Sequence, residues 1–247
     1  MTKNLGTALV TGSAKRIGRE LVNKLASQGY DIVISYNKSK TDAQKLAAEI
    51  AKKYKVKTAI FQSDLTDVKQ AKKLAEFMKK NFLSWNLLIN NASIFNKSEF
   101  VSGSEKDLYD NLNIHLISPL ILAKEFATVA PKNSQIINVI DKNIARFDTS
   151  YFYYLLSKKS LAELTKMLAL ELAPQIRVNG IAPGFILNPI DQEISAKNTK
   201  NIIKKIPLKA KGEPENIWQA VEFLLKNKFV NGQIIFVDGG ASLNHAG

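Results

Sequence analysis

Short β-branched runs alternate with longer helical patterns along the whole chain, and this alternation restricts the fold more than any other feature. Thr7 to Thr11, Asp31 to Tyr36, Thr58 to Gln62, Trp85 to Asn90, Gln135 to Ile140, Ile176 to Ala182 and Gln233 to Val237 read as strands. Between them, Arg16 to Gln28, Thr41 to Tyr54, Asp67 to Phe82, about Glu105 to Val129, and Ser150 to Leu172 read as helices. Ile17, Leu21 and Leu25 share one face of the first of these. Strands that are apolar throughout are buried on both faces, so the pattern predicts an α/β fold: one doubly wound, Rossmann-type domain with a parallel sheet. No linker divides the 247 residues, and a single domain over 1–247 is expected. The least regular stretch, Gly184 to Gly212, reads either as a substrate lid or as a surface insertion.

Composition removes several classes of function. The chain has no cysteine, which excludes disulfides, thiolate metal sites and cysteine nucleophiles, and fits a reducing, cytoplasmic setting. Leu5 to Val10 is too short for a signal peptide, and no apolar run has the ~18 residues of a membrane span. The net charge of +13 invites a nucleic-acid reading. Only four of the 35 basic residues are arginine, however, and the lysines are scattered among glutamates and glutamines in helical segments. Base and phosphate readers favour arginine, so a solvated lysine-rich surface is expected, with neither nucleic acid nor membrane as a partner.

The first strand runs directly into Thr11-Gly12-Ser13-Ala14-Lys15-Arg16-Ile17-Gly18, which opens the first helix. Free N–H groups at such a helix start suit a dinucleotide pyrophosphate, with Gly12, Ala14, Lys15, Arg16 and Ile17 as candidate contacts. Arg16 stands where the fingerprint usually has its middle glycine. The second strand ends in Tyr36-Asn37-Lys38-Ser39, without the carboxylate that would bind a ribose 2′-hydroxyl. Lys38 and Ser39 suit a 2′-phosphate instead, so NADP(H) is the expected cofactor; the bland alternative is surface lysines.

Further along, Tyr154 and Lys158 stand four apart near the start of a long helix and so face one side. An ammonium beside a phenol favours the phenolate, which predicts a lowered Tyr154 pKa. Asp141 ends the fifth strand, at the carboxyl edge where such sheets bind ligands. A carboxyl group there can accept from the N–H groups of an aminopyrimidine or pass on a proton.

Taken together the chain resembles the short-chain dehydrogenases/reductases. The matching elements are Thr11-Gly12 to Gly18, Asp64-Leu65, Asn90-Asn91-Ala92, Tyr154-x-x-x-Lys158, Pro183-Gly184 and Val237-Asp238-Gly239-Gly240, in family order over nearly the whole chain. The resemblance implies a seven-stranded sheet and commonly a homotetramer. It puts Asp64 and Leu65 at the adenine, Asn91, Ala92, Pro183 and Gly184 in the cofactor cleft, and Lys158 on the nicotinamide ribose. Within the family the sequence is similar to the pteridine reductases: Arg16 lies in the first loop, Ser93-Ile94-Phe95 follows Asn90-Asn91-Ala92, and Asp141 replaces the usual serine. His115 and Arg146 point to the bacterial dihydromonapterin reductases.

That branch implies an NADPH-dependent enzyme that transfers hydride to a C=N bond of a dihydropterin: dihydromonapterin, dihydrobiopterin or dihydrofolate. Asp141, Tyr154 and Lys158 are the expected catalytic residues, and Arg16, Ser93, Phe95, Asp141 and Tyr154 the expected substrate contacts, with Phe95 stacked on the pterin, Ser93 near either the pterin or the cofactor phosphates, and Tyr154 and Lys158 also at the cofactor. His115 replaces the family's usual asparagine and is either a titrating relay or a packed, satisfied histidine. Arg146 meets either an acidic substrate tail or a neighbouring loop. No metal is expected. The alternatives are reduction of another carbonyl, such as a 3-oxoacyl thioester, and a catalytically idle NADP(H)-binding regulator.

Overall fold

Burial of continuous apolar strands between two helical layers organises the molecule, seen here as a computed structural model describing residues 4–188 and 195–244. The strands are β1 (Thr7–Val10), β2 (Asp31–Tyr36), β3 (Thr58–Gln62), β4 (Trp85–Asn90), β5 (Ser134–Val139), β6 (Ile176–Pro183) and β7 (Ile234–Val237). They form one sheet in the order β3-β2-β1-β4-β5-β6-β7, with every pairing parallel. The helices are α1 (Arg16–Ser27), α2 (Lys40–Tyr54), α3 (Val68–Asn81), α4 (Glu105–Leu112), α5 (Ser118–Ala127), α6 (Phe152–Glu171), α7 (Ala196–Lys205) and α8 (Pro214–Lys226). The single α/β domain with its seven-stranded parallel sheet is as expected. Among the described residues no helix is long and apolar enough to cross a membrane.

The period of two along each strand feeds two cores. Ala8, Val10, Ile32, Ile34, Leu87 and Ile89 pack under α1, α2 and α8. Leu9, Val33, Trp85 and Leu88 face the opposite layer, against Leu74 and Met78 of α3 and Leu122 and Phe126 of α5. Winding runs outward from β1 to β3, then returns to β4 and runs the other way. The crevice between the carboxyl ends of β1 and β4 is therefore the switch point at which such sheets bind ligands.

Three local features depart from the expectations. The pattern from Glu105 to Val129 is broken by a π-helical segment at Asn113–Ile117. Pro119 has no N–H to offer the His115 carbonyl, and the Ser118 N–H reaches back to Asn113 O instead. The stretch from Gly184 to Gly212 is not wholly irregular, because α7 lies within it and Ser195 caps it by accepting from Asn198 N at 3.2 Å. The rest of that expected lid includes 189–194, outside the described residues. Finally, α8 was not foreseen. Pro214 opens it, Glu213 and Asn216 form a reciprocal cap, and Ile217, Trp218, Val221 and Leu224 bury its face.

A buried polar chain ties the sheet to α6. Asn90 Nδ2 donates to Asn138 Oδ1, and Asn138 Nδ2 donates to Thr165 Oγ1, each at 2.8 Å. Replacing Asn138 with Ala strands the Asn90 amide in the core. The expected loss is about 1–3 kcal/mol in urea unfolding, and an unchanged midpoint would show that this chain adds nothing to stability.

Candidate active site

The carboxyl edge collects nearly every residue that the sequence singles out. At the turn after β1, Thr11 Oγ1 accepts from the backbone N–H groups of Asn91 and Ala92 at 2.9 and 3.0 Å. The Asn91 amide donates back to Thr11 O at 2.8 Å. This closeness requires glycine. A Cβ on Gly12, which has φ of +63°, would sit 2.9 Å from Ala92 Cα, and one on Gly18 would sit 2.6 Å from Ser13 Cα. Arg16, in the usual place of a glycine, also adopts a left-handed backbone (φ 59°), at a cost of about 1–2 kcal/mol. Its guanidinium donates to Asn188 O at 2.6 Å, so it spans from the first loop to the segment after β6.

The β2 end presents no acid. Tyr36 is buried, whereas Asn37 and Lys38 are exposed. Lys15 pairs with Asp42 at 3.1 Å. Asp64 lies across from Lys38; burial works against its ionisation, but hydrogen bonds from Thr66 and Asn37 and the Lys38 charge hold it below its ordinary pKa. Ser118 and Asn113 grip the following turn through Leu65 O and Thr66 O, both at 2.8 Å. At the other border Gly184 packs on the Asp238 backbone, and Asp238 accepts from Gly240 N and Ser242 N at 3.0 and 2.6 Å.

The reactive groups meet where β5 ends against the first turns of α6. Tyr154 donates to Asp141 Oδ2 at 2.7 Å, and Asp141 Oδ1 accepts from Asn143 N at 2.7 Å. Lys158 is buried and donates to Val139 O at 2.8 Å. Burial, then the charge and hydrogen bond of Asp141, push the Tyr154 phenol well above its ordinary pKa. The expectation of a lowered Tyr154 pKa is thus reversed in this arrangement, because the adjoining carboxylate and desolvation outweigh the ammonium. Burial lowers Lys158 to about 8, against the pull of Asp141.

Phe95 stands edge-on to Tyr154 at 4.8 Å and stacks on Tyr151 at 4.4 Å. Tyr151 has no lysine four residues on, and nothing in its local sequence marks it as a site residue. Only the pairing of Ser98 with Tyr151 across a long loop brings its ring here. His115 is buried, with Nε2 2.8 Å from Ser93 Oγ and Nδ1 2.9 Å from Ser157 Oγ. Burial and then the Lys158 charge hold it well below its ordinary pKa, and both ring nitrogens have a partner, as in the packed alternative. Arg146 meets the neighbouring loop, donating to the carbonyls of Ala241 and Asn244. Among the described residues no cluster suited to a metal ion occurs.

The buried lysine makes a stability prediction. Lys158 releases its proton near pH 8 when folded and near 10.5 when unfolded, so between these values the unfolded chain holds the extra proton. Wild-type stability should therefore rise with pH across that window relative to Lys158→Met, measured by urea unfolding at matched pH. A falling or flat difference contradicts the burial cost.

Comparison with known proteins agrees with this geometry. Residues 12–242 match the family described as Enoyl-(Acyl carrier protein) reductase. The chain is 30% identical to pteridine reductase 1 of Leishmania tarentolae, over 97% of each chain. It is also 30% identical to the 3-oxoacyl-[acyl-carrier-protein] reductase FabG of Staphylococcus epidermidis, over 95% of this chain and 98% of that one. The solved structure of FolM alternative dihydrofolate reductase 1 from Brucella canis, complexed with NADP, superposes with a TM-score of 0.91 at 30% identity, covering 98% of this chain and 96% of that one. The likenesses to pteridine reductase 1 and FolM support the pteridine reductase branch. The chain is an oxidoreductase of the short-chain dehydrogenase/reductase family.

Proposed function

We propose that the protein is an NADPH-dependent reductase of dihydropterins, with dihydromonapterin, dihydrobiopterin and dihydrofolate as the substrate class. The observation that carries this reading is the hydrogen-bonded Asp141–Tyr154 pair facing the switch-point crevice beside Lys158. The cofactor fits the residues present. The Gly12 turn opens α1 at the end of β1, β2 itself ends without the acid that would repel a 2′-phosphate, and Lys38 and Ser39 at that end are its proposed partners. Ala14, Lys15, Arg16, Ile17, Asn91 and Ala92 border the same turn, with Asp64 and Leu65 towards the adenine. When bound, the reduced nicotinamide supplies the hydride.

The chain's own groups supply recognition and the proton. Reduction of C=N needs a hydride on carbon and a proton on nitrogen. The raised Tyr154 pKa keeps the phenol protonated at neutral pH, as a proton source requires. Asp141 accepts from the ring N–H groups of an aminopyrimidine, a task for which serine is less suited. Lys158 offers a buried donor at the ribose side. Phe95, one face of which stacks on Tyr151, supplies a flat surface for the heterocycle. Arg16 and Ser93 complete the border.

We further infer a cytoplasmic homotetramer. Absence of cysteine suits a reducing compartment. Leu120, Leu156, Met167 and Leu170 leave α5 and α6 an exposed apolar face, 40–84% accessible, beside a depression of about 400 Å³ lined by Leu116, Leu164 and Met167 together with Lys159, Ser160 and Glu163.

Steady-state oxidation of NADPH with each dihydropterin, set beside acetoacetyl thioester, tests the reading. Dihydropterin turnover is expected; thioester turnover alone would assign a carbonyl reductase like the FabG relatives, and no turnover an idle binder. Asp141→Ala should lower dihydropterin kcat/KM by about 10²–10⁴ with little change in NADPH affinity. Lys38→Asp should weaken NADPH binding about 10- to 100-fold and leave NADH binding nearly unchanged; equal effects on both would remove the 2′-phosphate role.

A further inference from the structure

We propose that His115 is a positioning residue that fixes Ser93 as a hydrogen-bond acceptor towards the crevice, so that the site selects a ligand edge presenting N–H groups. The argument follows the protons. Ser157 has one hydroxyl proton, and it donates to Tyr154 O at 2.7 Å. Its oxygen can then only accept from His115, 2.9 Å away, so Nδ1 carries the ring proton. The Asn111 carbonyl, which also faces the ring, is a further acceptor for a ring proton. A second proton on Nε2 would make the buried ring an imidazolium beside Lys158, the other charged group near it. Nε2 is therefore a bare acceptor, and Ser93, 2.8 Å away, must donate to it. Two other acceptors compete for the Ser93 proton: Ile94 O, more distant at 3.2 Å, and the Tyr154 phenol oxygen; neither removes the need of the bare Nε2 for a donor.

With its proton directed inward, the exposed Ser93 hydroxyl turns only lone pairs to the crevice. It adjoins the Tyr154 hydroxyl, whose own proton is engaged by Asp141. Ser93 and Asp141 thus present acceptors on either side of the Tyr154 hydroxyl, which holds the proton for the substrate nitrogen. An aminopyrimidine edge, with several N–H groups, satisfies both. A ketone or thioester carbonyl offers another acceptor and gains nothing from Ser93. The ligand half of this inference rests on the dihydropterin reading; the tautomer half does not.

Two measurements test it. The protein has two histidines, His115 and His245, so histidine-labelled ¹⁵N NMR of the intact chain gives two rings, and His245→Gln assigns them. A protonated Nδ1 and bare Nε2 at His115, unchanged from mildly acidic to mildly alkaline pH, are expected. A protonated Nε2 or a titrating ring overturns the proposal while leaving the dihydropterin reading intact, and this test needs no variant at His115 to fold. In kinetics, His115→Asn and Ser93→Ala should each lower dihydropterin kcat/KM by about 10- to 100-fold, and the double variant should be no worse than Ser93→Ala alone. Independent, multiplying losses would show that His115 does not act through Ser93. If wild-type protein turns over no dihydropterin, the ligand half falls with that reading, whatever the tautomer.

Discussion

A single threonine hydroxyl joins the two strands between which the winding of the sheet reverses. Thr11 follows β1, and its oxygen takes the N–H groups of Asn91 and Ala92 just after β4. Those two strands are neighbours in space and far apart in sequence, so everything on the carboxyl edge is referred to this junction. It fixes how closely the Gly12 turn approaches Ala92, and it leaves the α1 N-terminus facing the crevice. An anion there meets oriented N–H groups without further rearrangement. The glycines at 12 and 18 follow from this contact: the junction leaves no space for a Cβ at either.

On the other side of the crevice, burial determines the behaviour of the reactive groups. Tyr154 and Lys158 share one helical face, as the four-residue spacing requires, yet the ammonium does not point at the phenolic oxygen. It is held by Val139 O and lies 5.9 Å from the Tyr154 ring centroid. The carboxylate of Asp141 touches the phenol directly. Burial first, and then the charge and hydrogen bond of that carboxylate, raise the phenol well above its ordinary pKa, so it keeps its proton. A serine at 141 would leave that competition to the lysine.

Strand positions were legible because each is a run of β-branched and aliphatic residues, and β2, β3 and β4 coincide with the expected bounds. Most site residues were legible as well, since Asp141, Asn91 and Gly12 each follow a strand end that the pattern already places on one edge. Local cues were weaker elsewhere. In α7 the lysines and asparagines outnumber the two isoleucines that mark its apolar side, so its period is faint. In α8 the Pro214 start and the Ile217–Val221–Leu224 spacing are signals of the same kind as those of the other helices. Ser157 and Tyr151 carry no sequence signal of their own. One is found only by following the His115 ring, the other only by seeing a loop fold back across Ser98. The sign of the Tyr154 shift was missed for a different reason: spacing on a helix says which side chains are neighbours, but not which charge lies nearer.

The π-helical widening at Asn113–Ile117 links these threads. Because Pro119 cannot complete the regular ladder, the backbone swells by one residue, and His115 projects inward between Ser93 and Ser157. An asparagine there has a donor and an acceptor on one short amide, and cannot reach two hydroxyls on opposite sides. An imidazole can, and its two nitrogens are forced into opposite roles, so one proton placed at Ser157 decides the polarity of an oxygen across the ring. The direction of every hydrogen bond in this set is inward: Ser93 to His115, His115 to Ser157, Tyr154 to Asp141. A wall whose hydroxyl protons point into the protein is poorly matched to a further acceptor and well matched to a substrate that brings its own donors. This is the same inference that Asp141 supports from the other wall.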